Sequence, residues 1–130
     1  MATYTPKGVY NYASDGDSDR LTTALMVRGN RVNWYTDHDG YNALHRAISN
    51  DHYNCIDILI NSGIDLNSKS NYNDAALDLA AEKGYVNYLN IFLSKGTDIN
   101  NRTAHNRTAL TWAANHIRML SYFVFSFVNH

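Results

Sequence analysis

A single cysteine, Cys55, leaves the 130-residue chain without a partner for an internal disulfide and too few thiolates for a cysteine-based zinc site. It lies in the apolar stretch YNCIDILI, where a thiol serves as a small buried hydrophobe. No sign of charge dominates: 11 Lys and Arg stand against 12 Asp and Glu, a formal charge of -1. The overall field therefore offers no attraction to nucleic acid or to an anionic membrane. The opening residues MATYTPKGVYNY contain no apolar run of the kind that directs secretion, so a reducing cytoplasmic or nuclear setting is expected. In that setting the Asn-x-Thr sequons at Asn101 and Asn106 would not meet the glycosylation machinery. The apolar stretch near the end, within IRMLSYFVFSFVNH, is too short to cross a bilayer, which takes about 20 residues, and no membrane span is expected.

A calcium loop is also incomplete. ASDGDSDRL, residues 13–21, places Asp15, Asp17 and Asp19 at alternate positions. Counting from Asp15, however, Arg20 stands where an EF-hand needs its turn glycine and Met26 where it needs a bidentate glutamate. His38, His45 and His52 lie seven residues apart, but neutral imidazole is a good buried donor and acceptor, structural histidine is favoured over a ligand set, and no metal site is expected. Asp37 and Asp39 are expected to be solvated loop charges. With no nucleophile arrangement, phosphate loop or cofactor motif, the chain is expected to be no enzyme and to need no cofactor.

What is present is a folded composition, 45% hydrophobic and 18% charged, with a strong internal period. Gly29, Gly63 and Gly96 are 34 and 33 residues apart, and Asn33, Asn67 and Asn100 repeat that spacing. Leu44, Leu77 and Leu110 are spaced by 33, as are Ala47, Ala80 and Ala113. Each full period contains two short amphipathic helical patterns. Leu44, Ala47 and Ile48 mark the buried face of one, and Ile56, Leu59 and Ile60 that of the next. Asn42 and Thr108 stand where N-caps are needed, and Gly63 and Gly96 where the chain must turn left-handed after a helix. Neither helix can bury its stripe alone, so neighbouring units must stack.

The segments GYNALHRAISNDH, LINSGIDLN, AALDLAAEKGY, FLSKGTDIN and RTALTWAA resemble the ankyrin repeat over residues 12 to 116. The resemblance implies an all-α ankyrin-repeat solenoid of helix-turn-helix units with β-hairpin loops. About four units form a single domain over 1–130, at approximately 5–37, 38–70, 71–103 and 104–130, the first and last incomplete. On the same register ASDGDSDRL becomes the turn between two helices, with Gly16 in the turn and aspartates capping the second helix. Alanine replaces the family proline at Ala43, Ala76 and Ala109, which removes a preset backbone angle at the helix start. Gly16 to Gly29 is one residue longer than Gly84 to Gly96, so the first unit is expected to be irregular. The final stretch lacks a polar outer face and is expected to be covered by further repeats or by a partner.

The resemblance implies a non-catalytic protein-interaction module that binds a protein partner on its concave face. Its alternative is a regulatory or targeting segment of a larger enzyme or channel. By register the partner-binding residues are His38, Asp39, Tyr41, Ser49 and Asn50, then Asn71, Tyr72, Asp74, Glu82 and Lys83, then Ala104, His105, Arg107 and Asn115. Tyr41 and Tyr72 are the candidate anchors, with ordinary hairpin packing as the competing role. The tips run from acidic at Asp37 and Asp39 to basic at Arg102 and Arg107. Asn67 and Asn100 match the family's candidate hydroxylation position, and Leu59, eight residues before Asn67, favours Asn67. A purely structural role as a turn asparagine competes with it.

Overall fold

The computed structural model describes residues 5–27, 35–103 and 108. Six helices form among them: α1 Pro6–Asp15, α2 Ser18–Met26, α3 Ala43–Ser49, α4 Tyr53–Asn61, α5 Ala76–Lys83 and α6 Val86–Ser94. No strand forms among the described residues. The chain divides into two compact units, residues 1–65 and 66–130.

In the first unit α1 packs on α2 and α3, and α4 packs on α2 and α3. The helices are short because all but α2 run into a left-handed residue, Gly16, Asp51, Gly63, Gly84 or Gly96. Gly16 closes α1 in the left-handed region, its amide donating to the carbonyl of Ala13, and Asp17 at once opens α2 by accepting from the amide of Arg20. The aspartates of ASDGDSDRL thus lie on a helix-turn-helix, Asp15 ending one helix, Asp17 capping the next and Asp19 in its first turn. Asn42 caps α3 through the amide of His45, and His45 Nδ1 accepts in return from the amide of Asn42.

Burial follows the period of the sequence. Val9, Ala13, Leu21, Ala24, Leu44, Ala47, Ile48, Ile56 and Leu59 have no exposed surface, and each large aliphatic among them contributes about 1.5–3 kcal/mol. In the second unit, α5 and α6 bury Leu77, Ala80, Leu89 and Phe92 to the same degree. These four stand 33 residues after Leu44, Ala47, Ile56 and Leu59. Ile60, expected on the buried face of α4, is only half-buried. Gly63 and Gly96 both have φ 84, the left-handed exit expected after the second helix.

Two loop tips share one construction. Asp37 N donates to Tyr41 O and Gly40 N to Asp37 O; 33 residues on, Ser70 N donates to Asp74 O and Asn73 N to Ser70 O. Each tip is a three-residue turn closed by a left-handed residue, Gly40 at φ 80 and Asn73 at φ 62. Among the described residues the hairpin character of the loops is confined to these tips. Thr108 lies among the described residues, but the helix it was expected to cap, and the apolar stretch at 117–128, lie outside them.

Candidate functional site

The first tip is held by a side-chain network. Asp37 Oδ1 accepts from the amides of Asp39 and Tyr41 at 2.9 and 3.0 Å, fixing the turn from within. Its Oδ2 accepts from Tyr10 Oη at 2.6 Å and from Arg46 Nε and Nη2 at 2.9 and 2.7 Å. Arg46 also donates to Tyr10 Oη at 3.0 Å, approaches Asp39 at 3.7 Å and lies 4.6 Å above the Tyr41 ring. Tyr35 meets the Tyr10 ring edge-on at 5.0 Å. Burial pushes the Asp37 carboxyl up, but the Tyr10 hydroxyl, Arg46 and the amides of Tyr41 and Asp39 outweigh it and hold the group at about 2. For Tyr10, burial and the neighbouring carboxylate raise the phenol, against the opposing pull of Arg46. Asp37 is therefore no solvated loop charge, since its side chain is only 8% exposed and its charge is met by a guanidinium.

The second tip is braced more lightly. Ser70 Oγ accepts from the amides of Tyr72 and Asp74 at 3.1 and 3.3 Å, the part that Asp37 plays in the first. Asn73 is tied to Asn101, whose Nδ2 donates to the Asn73 carbonyl at 2.7 Å and whose Oδ1 accepts from Asn73 Nδ2 at 3.2 Å. Asn101 is buried with its amide engaged on both sides, which leaves its side-chain nitrogen no room for a glycan.

The register-derived residues fall into distinct environments. In the first unit His38 is open, with its side chain 88% exposed, while Asp39 and Tyr41 are part-buried beside Arg46. Tyr41 is clasped between the guanidinium and an edge contact with His45 at 5.7 Å, a packing geometry. Ser49 ends α3 half-buried, and Asn50 is exposed but fastened, its Nδ2 donating to the Ser14 carbonyl at 3.0 Å. In the second unit Asn71 and Tyr72 are exposed at the tip, Asp74 is half-buried, and Glu82 and Lys83 are exposed in the last turn of α5. Asn67 and Asn100 are both exposed, and Asn100 N donates to Asp98 Oδ1 at 2.8 Å. Ala104, His105, Arg107 and Asn115 lie outside the described residues.

Tyr10, Tyr35 and Arg46 were not expected at this site. Tyr10 and Arg46 are separated by 36 residues and share no period, so only the packing of α1 on α3 joins them. Among the described residues no group of three or more His, Cys, Asp or Glu could hold a metal ion. A cleft lined by Gly16, Asp51, His52, Tyr53, Asn54 and Cys55 lies at the turns between helices. Burial and the nearby Asp17 push the Cys55 thiol up, which disfavours the nucleophilic thiolate.

No described helix is long and apolar enough to cross a membrane. Residues 10–103 match the family model of ankyrin repeats, in three copies. Comparison with curated proteins gives no match.

Proposed function

Because the chain belongs to the ankyrin-repeat family, whose repeats are in general protein-interaction modules, we propose that it is a non-catalytic scaffold binding a protein partner through a concave face of loop tips and exposed first-helix ends. The observation that supports this reading is the braced first tip. A turn held by five hydrogen bonds to one carboxylate presents His38 to solvent with little conformational entropy left to lose on binding. Tyr72, 43% exposed on the second tip, is the better anchor, and Tyr41 supports the first tip from beneath. His105, Arg107 and Asn115 extend the face by register. The four units are read as one domain, which predicts a single cooperative unfolding transition. The lone thiol of Cys55 suits a reducing compartment, cytoplasm or nucleus.

Capture of partners on the immobilised full chain, followed by binding measurements with variants, tests the reading. Tyr72→Ala should weaken binding by about 1–2 kcal/mol while leaving the helical circular dichroism intact. Unchanged binding would remove the anchor role. We further propose Asn67 as a substrate for an asparaginyl hydroxylase. Asn67 itself is exposed, but Leu59 is fully buried, so α4 must open for the chain to enter an enzyme extended. Mass spectrometry after incubation with such an enzyme should find one added oxygen on the Asn67 peptide, and an unmodified peptide beside a modified ankyrin control would end the proposal.

A further inference from the structure

Position 78 repeats position 45 at the 33-residue period, and the two are built alike up to the side chain. Each is the third residue of its helix and returns an acceptor to the backbone three residues earlier. His45 Nδ1 takes the amide of Asn42 at 3.0 Å, and Asp78 Oδ2 takes that of Ala75 at 3.0 Å. Both residues are 1% exposed. A neutral imidazole suits such a place, whereas a carboxylate brings a charge into it. Asp78 Oδ2 accepts a second bond, from Asn101 Nδ2 at 2.7 Å, but Oδ1 is buried with no hydrogen-bond partner. Asn101 in turn holds Asn73 by its carbonyl and its side chain, and Asn73 Nδ2 also donates to the Arg102 carbonyl. Asp78, Asn101 and Asn73 thus join the start of α5, the 70–74 tip and the 98–103 segment within the second unit.

A proton on Oδ1 removes the charge and leaves Oδ2 to accept from the same two donors. Without that proton, half of a buried anion's acceptor capacity is unmet. We propose that Asp78 is a proton-operated latch: neutral, it rests in the buried seat that joins the 70–74 tip and the 98–103 segment to α5, and ionised, it gains more from reaching water than the Ala75 and Asn101 bonds return, so the second unit opens more readily as pH rises.

The electrostatics agree with the geometry. Burial pushes Asp78 up to about 6 against the pull of the Ala75 amide and Asn101; the Asp74 charge adds to the rise and Lys69 opposes it. Glu82 and Lys83 lie exposed in the last turn of α5, Asp98 and Arg102 are exposed on the 98–103 segment, and α6 with its cap carries only Tyr85 and Tyr88 before the exposed Lys95. An unfolded aspartate titrates at about 3.9. The folded state therefore binds more protons between that value and about 6. Its contribution to stability is full below the unfolded value and is lost as pH rises through the folded one.

Urea unfolding of the full chain and of Asp78→Asn at pH 5 and pH 7 tests the latch. Groups common to both proteins cancel in the comparison. The folded-to-unfolded ratio of the wild type should fall about tenfold relative to the variant over that range. A pH-independent difference would overturn the proposal. Should the variant not fold, NMR of the wild type decides: the Asp78 carboxyl carbon and the Asn101 side-chain amide should inflect together near pH 6. An Asp78 inflection near the ordinary value of about 4, or Asn101 signals that do not follow it, would refute the latch.

Discussion

Arg46 is the residue on which the first tip depends, since one guanidinium meets Asp37, Tyr10 and the face of Tyr41. Replacing it with Leu strands a part-buried carboxylate and should cost about 2–3 kcal/mol in urea unfolding. The exposed pair of Arg20 with Asp17 has little weight by comparison, and Arg20→Leu should change stability by about 0.5 kcal/mol or less. The Asp37 carboxyl, held down at about 2, contributes stability that is present above its unfolded value of about 3.9 and lost as pH falls towards 2. In Arg46→Leu that acid sensitivity should shrink, as unfolding followed between pH 5 and about 2 would show. Gly16 is constrained twice, by φ 79 and by the His52 imidazole, 2.6 Å from where a Cβ would lie. Gly16→Ala should therefore lower the melting temperature by several degrees, for a cost of about 1–2 kcal/mol. None of these contacts was legible in the sequence. Asp37 and Arg46 are nine residues apart on a loop and a helix, and no local pattern distinguishes a carboxylate that turns inward from one in water.

The helices were far more legible, because their signals are local. Asp17 and Asn42 announce caps, Gly16, Gly63 and Gly96 announce exits, and a three-four apolar stripe lies between. The first residue of each unit's first helix shows what substitution can improve. Pro6 occupies that position in α1, Ala43 in α3 and Ala76 in α5, and the residues before them share one extended backbone: Thr5 at φ -87, ψ 167, Asn42 at φ -91, ψ -176 and Ala75 at φ -94, ψ 169. That conformation is the one a following proline requires. Ala43→Pro and Ala76→Pro should each stabilise the protein by about 0.4–1 kcal/mol, read as a higher urea midpoint with unchanged slope. Ala75 is the weaker start, having no side chain to cap with, and α5 compensates through the return bond from Asp78.

At the scale of the molecule, the 33-residue period identified the family and placed its buried positions, since whatever recurs in the sequence must recur in the packing. Where the repeats differ, the period is silent, and the differences set the chemistry. An Asp37 held low and an Asp78 held high give the two units opposite responses to acid: mild acidification should strengthen the second, and stronger acid should weaken the first. Amide hydrogen exchange at pH 5 and 7 should show α5 and α6 better protected at the lower value relative to α1 and α3, once intrinsic rates are corrected. The shared tip construction has a consequence for molecular evolution. Position 37 or 70 fixes the turn and position 40 or 73 absorbs the left-handed backbone, so between them the backbone sets one further limit, the exclusion of proline at 39 and 72, whose amides are bonded, while the Asp39 side chain is also held beside Arg46. On the proposed function, the exposed letters at 38, 71 and 72 are the ones to vary in a combinatorial library, and an altered partner with an unaltered fold is the expected outcome.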